Sequence, residues 1–123
     1  MLKYEDANEL LTSEFEAMRT AFRYDDDRDL YEGEDGCYGL YCDAFVPYII
    51  KQLDDGNDAE LKRIFAFTEK LFTDGDDELV NLAAVSIVED IYYEHDYDNK
   101  YKDKIYSICG NLTRKSFDDM EGD

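Results

Sequence analysis

The chain reads as an all-α protein of about five helices, arranged as antiparallel helical hairpins in the manner of a short HEAT-like array. Three observations predict this. Apolar residues recur at three- and four-residue intervals along most of the sequence. Acidic, capping-type joints separate those stretches. One joint echoes another: Asp54-Asp55-Gly56-Asn57-Asp58-Ala59-Glu60-Leu61 resembles Thr73-Asp74-Gly75-Asp76-Asp77-Glu78-Leu79, with the glycines one helix plus one turn apart. Turns this short make neighbouring helices antiparallel.

The first expected helix spans 4–23, with Tyr4, Ala7, Leu11, Phe15, Met18 and Phe22 on one stripe. An acidic loop is expected over 24–38, and Cys37 to Tyr41 fits either an extended segment or an early helical turn. A second helix is expected from about 43 to 54, burying Val46, Ile49, Ile50 and Leu53, with Pro47 at its first turn or at a kink. Asn57 is the expected N-cap of the third, with Glu60 three residues later completing a capping box. Leu61, Ile64, Phe65, Thr68, Leu71 and Phe72 form its stripe, and Gly75 closes it. Asp76 should cap the fourth helix. Its apolar arc is wide (Leu79, Val80, Ala83, Ala84, Ile87, Val88, Ile91, Tyr92), which places it at the centre of the fold. The last helix follows Asp98 or Asn99 and carries Tyr101, Ile105, Ile108 and Leu112. The expected organisation is one helical domain over 1–116, then a frayed polar tail over 117–123.

With 123 residues, one domain is the default. The formal net charge is −19, from 32 acidic and 13 basic residues. The acid is bunched. Segments 24–36, 54–60, 74–78, 89–98 and 118–123 hold 24 of the 32 acidic residues and one basic residue, Arg28. Capping needs one or two carboxylates per helix, and Asp25-Asp26-Asp27-Arg28-Asp29 far exceeds that; the excess repels itself and implies another purpose. Such a surface repels phosphates, which disfavours nucleic-acid binding, and it disfavours anionic membranes. The first residues carry no basic and apolar leader, and three cysteines fit a reducing cytoplasm, so a cytoplasmic location is expected.

Catalytic signatures are weak. His95 is the one imidazole, and its acidic neighbours favour a surface cation over a general base. Cys37, Cys42, Cys109 and His95 lack the tight paired spacing of a zinc site. Asp25, Asp27 and Asp29 match the start of a calcium loop, but Leu30 and Gly36 stand where Gly and Glu are required. No enzyme, metal or cofactor is therefore expected. What the chain offers is recognition: carboxylates that accept charge-assisted hydrogen bonds from Arg and Lys, interleaved with tyrosines.

Phe45 to Leu53, Leu61 to Glu69 and Val85 to Asp90 resemble segments of small all-helical immunity proteins from bacterial polymorphic and contact-dependent toxin systems. The resemblance covers roughly 40–112. It implies a protein that binds and neutralises a cognate toxin, expected to be a basic nuclease, by electrostatic and steric occlusion. Glu89 is the one polar position it marks as important. Two other readings compete: an acidic DNA mimic that inhibits a restriction or CRISPR effector, and a carboxylate–metal hydrolase. The candidate contact residues fall in two patches. One is Asp25, Asp26, Asp27, Asp29, Tyr31, Glu32, Glu34 and Asp35. The other is Glu89, Asp90, Glu94, Asp96 and Asp98.

Overall fold

Two breaks turn the five expected helices into seven helical segments. The computed structural model describes residues 1–19 and 36–121, and among these the fold is all-α. Helix α1 (Ala7–Glu14) stops at Phe15, whose backbone is extended (φ −123°, ψ 108°), and α2 resumes at 16–19. The stripe continues across the break, since Ala7, Leu11, Phe15 and Met18 are all buried and Tyr4 is half-buried; the expected end of the helix, with Phe22, lies outside the described residues. Leaving the helix turns the Phe15 ring onto Phe45 at 5.2 Å and edge-on to Phe67 at 5.4 Å. Such ring pairs contribute about 0.5–1.5 kcal/mol beyond their buried area. This offsets the one or two helical hydrogen bonds given up, each of similar size.

Helix α3 occupies 36–55, so Cys37 to Tyr41 is helical and Pro47 lies inside a helix instead of at its first turn. The helix accommodates it with a π segment at Tyr41–Phe45, where the Val46 N–H donates to the Tyr41 carbonyl. Widening the turn just ahead of the ring relieves the clash a proline makes with the preceding turn. Gly56 ends α3 in the left-handed region (φ +68°). The Gly56 and Asn57 N–H groups donate back to Leu53 and Gln52, the arrangement that satisfies terminal carbonyls.

Helix α4 (Asp58–Asp74) is capped by Asn57, whose side chain accepts from the Glu60 N–H. Gly75 ends it in extended backbone instead of the left-handed region; what demands glycine there is space, because a Cβ would sit 2.3 Å from the Leu71 carbonyl. Helix α5 spans 77–94 with a π segment at Ala83–Glu89. It is capped by Asp76, which also fixes the chain's first residues. Asp76 Oδ1 accepts from the Leu79 N–H at 2.9 Å and Oδ2 from the Tyr4 N–H at 3.1 Å. Leu2 pairs with Gly75 beside it as an isolated bridge.

Helix α6 (97–108) opens with a π segment at Tyr97–Tyr101 after Asp96 turns the chain at positive φ. The expected last helix breaks at Cys109-Gly110, and α7 (Asn111–Glu121) follows. The expected tail is therefore helical through Glu121. Phe117 is fully buried and stacks on Tyr97 at 4.5 Å, 3° from parallel, while Leu112 faces out. Phe117 and Thr113, both fully buried, dock a stretch that looked too polar to fold. Two-residue joints link α3 through α7, and α7 packs back on α4 and on the π segment of α5. α5 is central as expected: Leu79, Leu82, Ala83, Ile87, Val88 and Ile91 are completely buried.

Candidate recognition groove

The π segments of α3 and α5 face each other. Between them runs an open cleft of about 430 Å3. From α3 come Tyr38, Gly39, Cys42 and Asp43; from α5 come Val85, Ser86, Glu89, Asp90, Tyr93 and Glu94. Among the described residues, no Lys or Arg lines it. Helical spacing explains the α5 side: 86, 89, 90, 93 and 94 share one face, and the wide turn pushes Val85 onto the same rim. Val85 is 40% and Tyr93 64% exposed, two of the few large apolar side chains that face solvent among the described residues.

The carboxylates differ in their engagements. Asp90 is occupied: its Oδ1 accepts from the Cys42 thiol at 3.2 Å, and its Oδ2 lies 3.5 Å from His95 Nε2. Burial, then the Asp90 hydrogen bond and the charges of Asp90 and Asp43, push the Cys42 thiol up to about 12. A thiol that holds its proton this firmly is a weak nucleophile at neutral pH, and its hydrogen bond to Asp90 ties α3 to α5. Asp43, Glu89 and Glu94 have no cationic partner among the described residues. Ser86 is 3% exposed, lines the cleft, and its hydroxyl makes no hydrogen bond within the protein.

A second, larger cleft of about 620 Å3 lies between α1 and α4, but its charges are mixed, with Arg63 and Lys70 facing Asp6, Glu9 and Glu14. Arg63 is already committed there: it bonds Glu60 and the Glu14 carbonyl, each at 2.6 Å, and lies over the Phe15 ring. The α3–α5 groove is the one with unmet hydrogen-bonding capacity and charge of a single sign.

The sequence-derived patches fare differently. Asp25, Asp26, Asp27, Asp29, Tyr31, Glu32, Glu34 and Asp35 lie outside the described residues. Glu89, Asp90 and Glu94 meet in the groove. Asp96 and Asp98 do not join them. Asp96 sits in the α5–α6 turn, accepting from Asn99 at 3.0 Å. Asp98 pairs with Glu121, and Lys102 donates to Glu121 at 2.6 Å. Desolvation, then that carboxyl–carboxylate bond, push Asp98 up. Asp43 and Ser86 were not singled out from the sequence; both are lone polar residues inside apolar stretches, with no charge cluster to draw attention to them.

A family model matches residues 8–122. The chain belongs to DUF7674, a domain of unknown function. The match takes in every helix from α3 to α7 and both walls of the groove, so the site is part of the DUF7674 domain itself. No curated protein and no solved structure was found to match the chain. In this DUF7674 domain, no three His, Cys, Asp or Glu side chains among the described residues are grouped to hold a metal ion. No described helix is long and apolar enough to cross a membrane.

Proposed function

We propose that the chain is a binding protein without catalytic activity, which neutralises a basic protein by covering its working surface. The observation that carries this reading is the α3–α5 groove: among the described residues its charged lining is all acidic, and exposed Val85 and Tyr93 form its rim. Single-signed grooves raise association rates with oppositely charged partners by orders of magnitude at low salt, and exposed aromatic and aliphatic rims supply the slow dissociation. The three segments that resemble immunity proteins lie in α3, α4 and α5, and α3 and α5 form the groove. The proposed partner is accordingly a bacterial toxin with a basic surface, a nuclease in the first instance, met in the cytoplasm of the cell that makes both.

The competing readings draw less support. A DNA mimic needs carboxylates strung along an extended ridge; Asp43, Glu89, Asp90 and Glu94 converge on a concavity instead. A carboxylate–metal hydrolase needs grouped ligands, which the described residues do not supply.

Calorimetry with the toxin encoded beside this chain tests the proposal. Submicromolar affinity that weakens steeply with salt, and loss of toxin activity on mixing, are expected. The double variant Glu89→Lys/Glu94→Lys should slow association at least tenfold at low salt, since like charges then face each other (about 1.4 kcal/mol per tenfold). Absence of binding at low salt overturns the reading.

A further inference from the structure

The groove holds one feature that charge alone does not explain. Ser86 is 97% hidden, yet its hydroxyl has no partner and borders the cleft. A helical serine ordinarily bonds the carbonyl one turn back; here no hydrogen bond to a described residue forms, and the hydroxyl is left to the cleft. Around it stand the carboxylates of Asp43 and Glu89, neither with a cationic partner among the described residues, the exposed ring of Tyr93 and the methyls of Val85. Tyr38 on the opposite wall is held by Asn81, which donates to its hydroxyl at 2.9 Å.

We propose that this cleft is an arginine receptor: one arginine side chain of the basic partner enters it, its guanidinium donating to Ser86 Oγ and to the Asp43 and Glu89 carboxylates. The proposal rests on the groove being the partner-binding face. Three features select arginine over lysine. The acceptors lie on both walls, and a guanidinium presents five N–H donors in a plane where an ammonium is a compact point. Ser86 is buried, and a guanidinium sheds water more readily than an ammonium. The ring of Tyr93 and the methyls of Val85 suit a flat cation on an apolar stem. Cys42 and His95 both engage Asp90, and Cys42 also touches Asp43; Glu89 and the remaining acceptor capacity of Asp43 are left to the guest.

Two blocked tripeptides, acetyl-Gly-Arg-Gly-amide and acetyl-Gly-Lys-Gly-amide, test the assignment by titration into the 15N-labelled full chain at low ionic strength. The arginine peptide should shift amides in 38–43 and 85–94 and bind about fivefold more tightly than the lysine peptide. Ser86→Ala, which removes one oxygen from a helical site, should bring the arginine affinity down toward the lysine value and leave the lysine affinity unchanged; Glu89→Gln should weaken both. Equal affinities, shifts spread over every acidic segment alike, or an arginine affinity untouched by Ser86→Ala overturn the assignment. A basic partner that fills the groove through lysine overturns it while leaving the proposed function standing. Selective arginine binding by a chain that ignores the basic partner overturns the proposed function alone.

Discussion

Glu69 grips Thr113 twice: its Oε1 accepts from the Thr113 N–H and from the Thr113 hydroxyl, each at 2.9 Å. Its Oε2 accepts from the Leu112 N–H at 3.0 Å. A carboxylate from the middle of the bundle thus caps α7, the helix least expected from the sequence. Glu69→Ala should lower unfolding free energy by about 2 kcal/mol, within the range for losing a charged cap, measured by urea denaturation. Thr113→Val, which removes one of the three bonds, should cost about half as much.

The same carboxylate makes stability pH-dependent. Burial pushes Glu69 up, but the two amides, the Thr113 hydroxyl and nearby Arg114 more than offset this, so its folded value lies below 4.5. A depressed folded value contributes stability that is present above the unfolded pKa and is lost as pH falls through the folded one. Wild type should therefore lose more stability than Glu69→Gln as pH falls below 4.5, and the gap between them should be constant near neutrality.

Two glycines that both close helices should respond differently to alanine. Gly56 has open space around its missing Cβ and a left-handed backbone, so Gly56→Ala should cost about 1–2 kcal/mol from conformation alone. Gly75 needs no unusual backbone, but a Cβ there would collide with the Leu71 carbonyl. Gly75→Ala should cost more than Gly56→Ala and disturb the Leu2 bridge, visible as faster amide exchange at Leu2 and Asp76.

Cys42 should be slow to alkylate. With its thiol pushed up to about 12, its labelling at about pH 8 should lag a model thiol by more than tenfold, read at the Cys42 peptide by mass spectrometry. Asp90→Ala removes the strongest specific contribution after burial and should speed labelling. Faster labelling in wild type than in Asp90→Ala would contradict the structural role given to this chain of groups.

Short-range chemistry made much of this fold legible. Asn57 and Asp76 cap as their spacing implies, because a cap involves residues three apart. The stripes of α4 and α5 bury as their periodicity requires. Decisions made in three dimensions were not visible. Phe15 leaves its helix for rings about 30 and 50 residues away, and Phe117 docks on Tyr97 across a chain reversal. The groove was half legible: Glu89, Asp90 and Glu94 announced themselves by charge density, whereas Asp43 joins them from another helix. Asp96 and Asp98, adjacent in sequence, turn away because the chain reverses at Asp96.

The wide turn at Ala83–Glu89 bears on which residues this helix turns toward the groove. A π turn holds one residue more than the helix needs, and each residue turns the helix by about 100°. Deleting one residue there would tighten the winding and keep Leu79 and Leu82 seated, but it would swing Glu89, Asp90 and Tyr93 off the groove and, with them, Ile87, Val88 and Ile91 out of the core. The extra residue is thus what lets one helix seat Ile87, Val88 and Ile91 in the core while turning Glu89, Asp90 and Tyr93 toward α3.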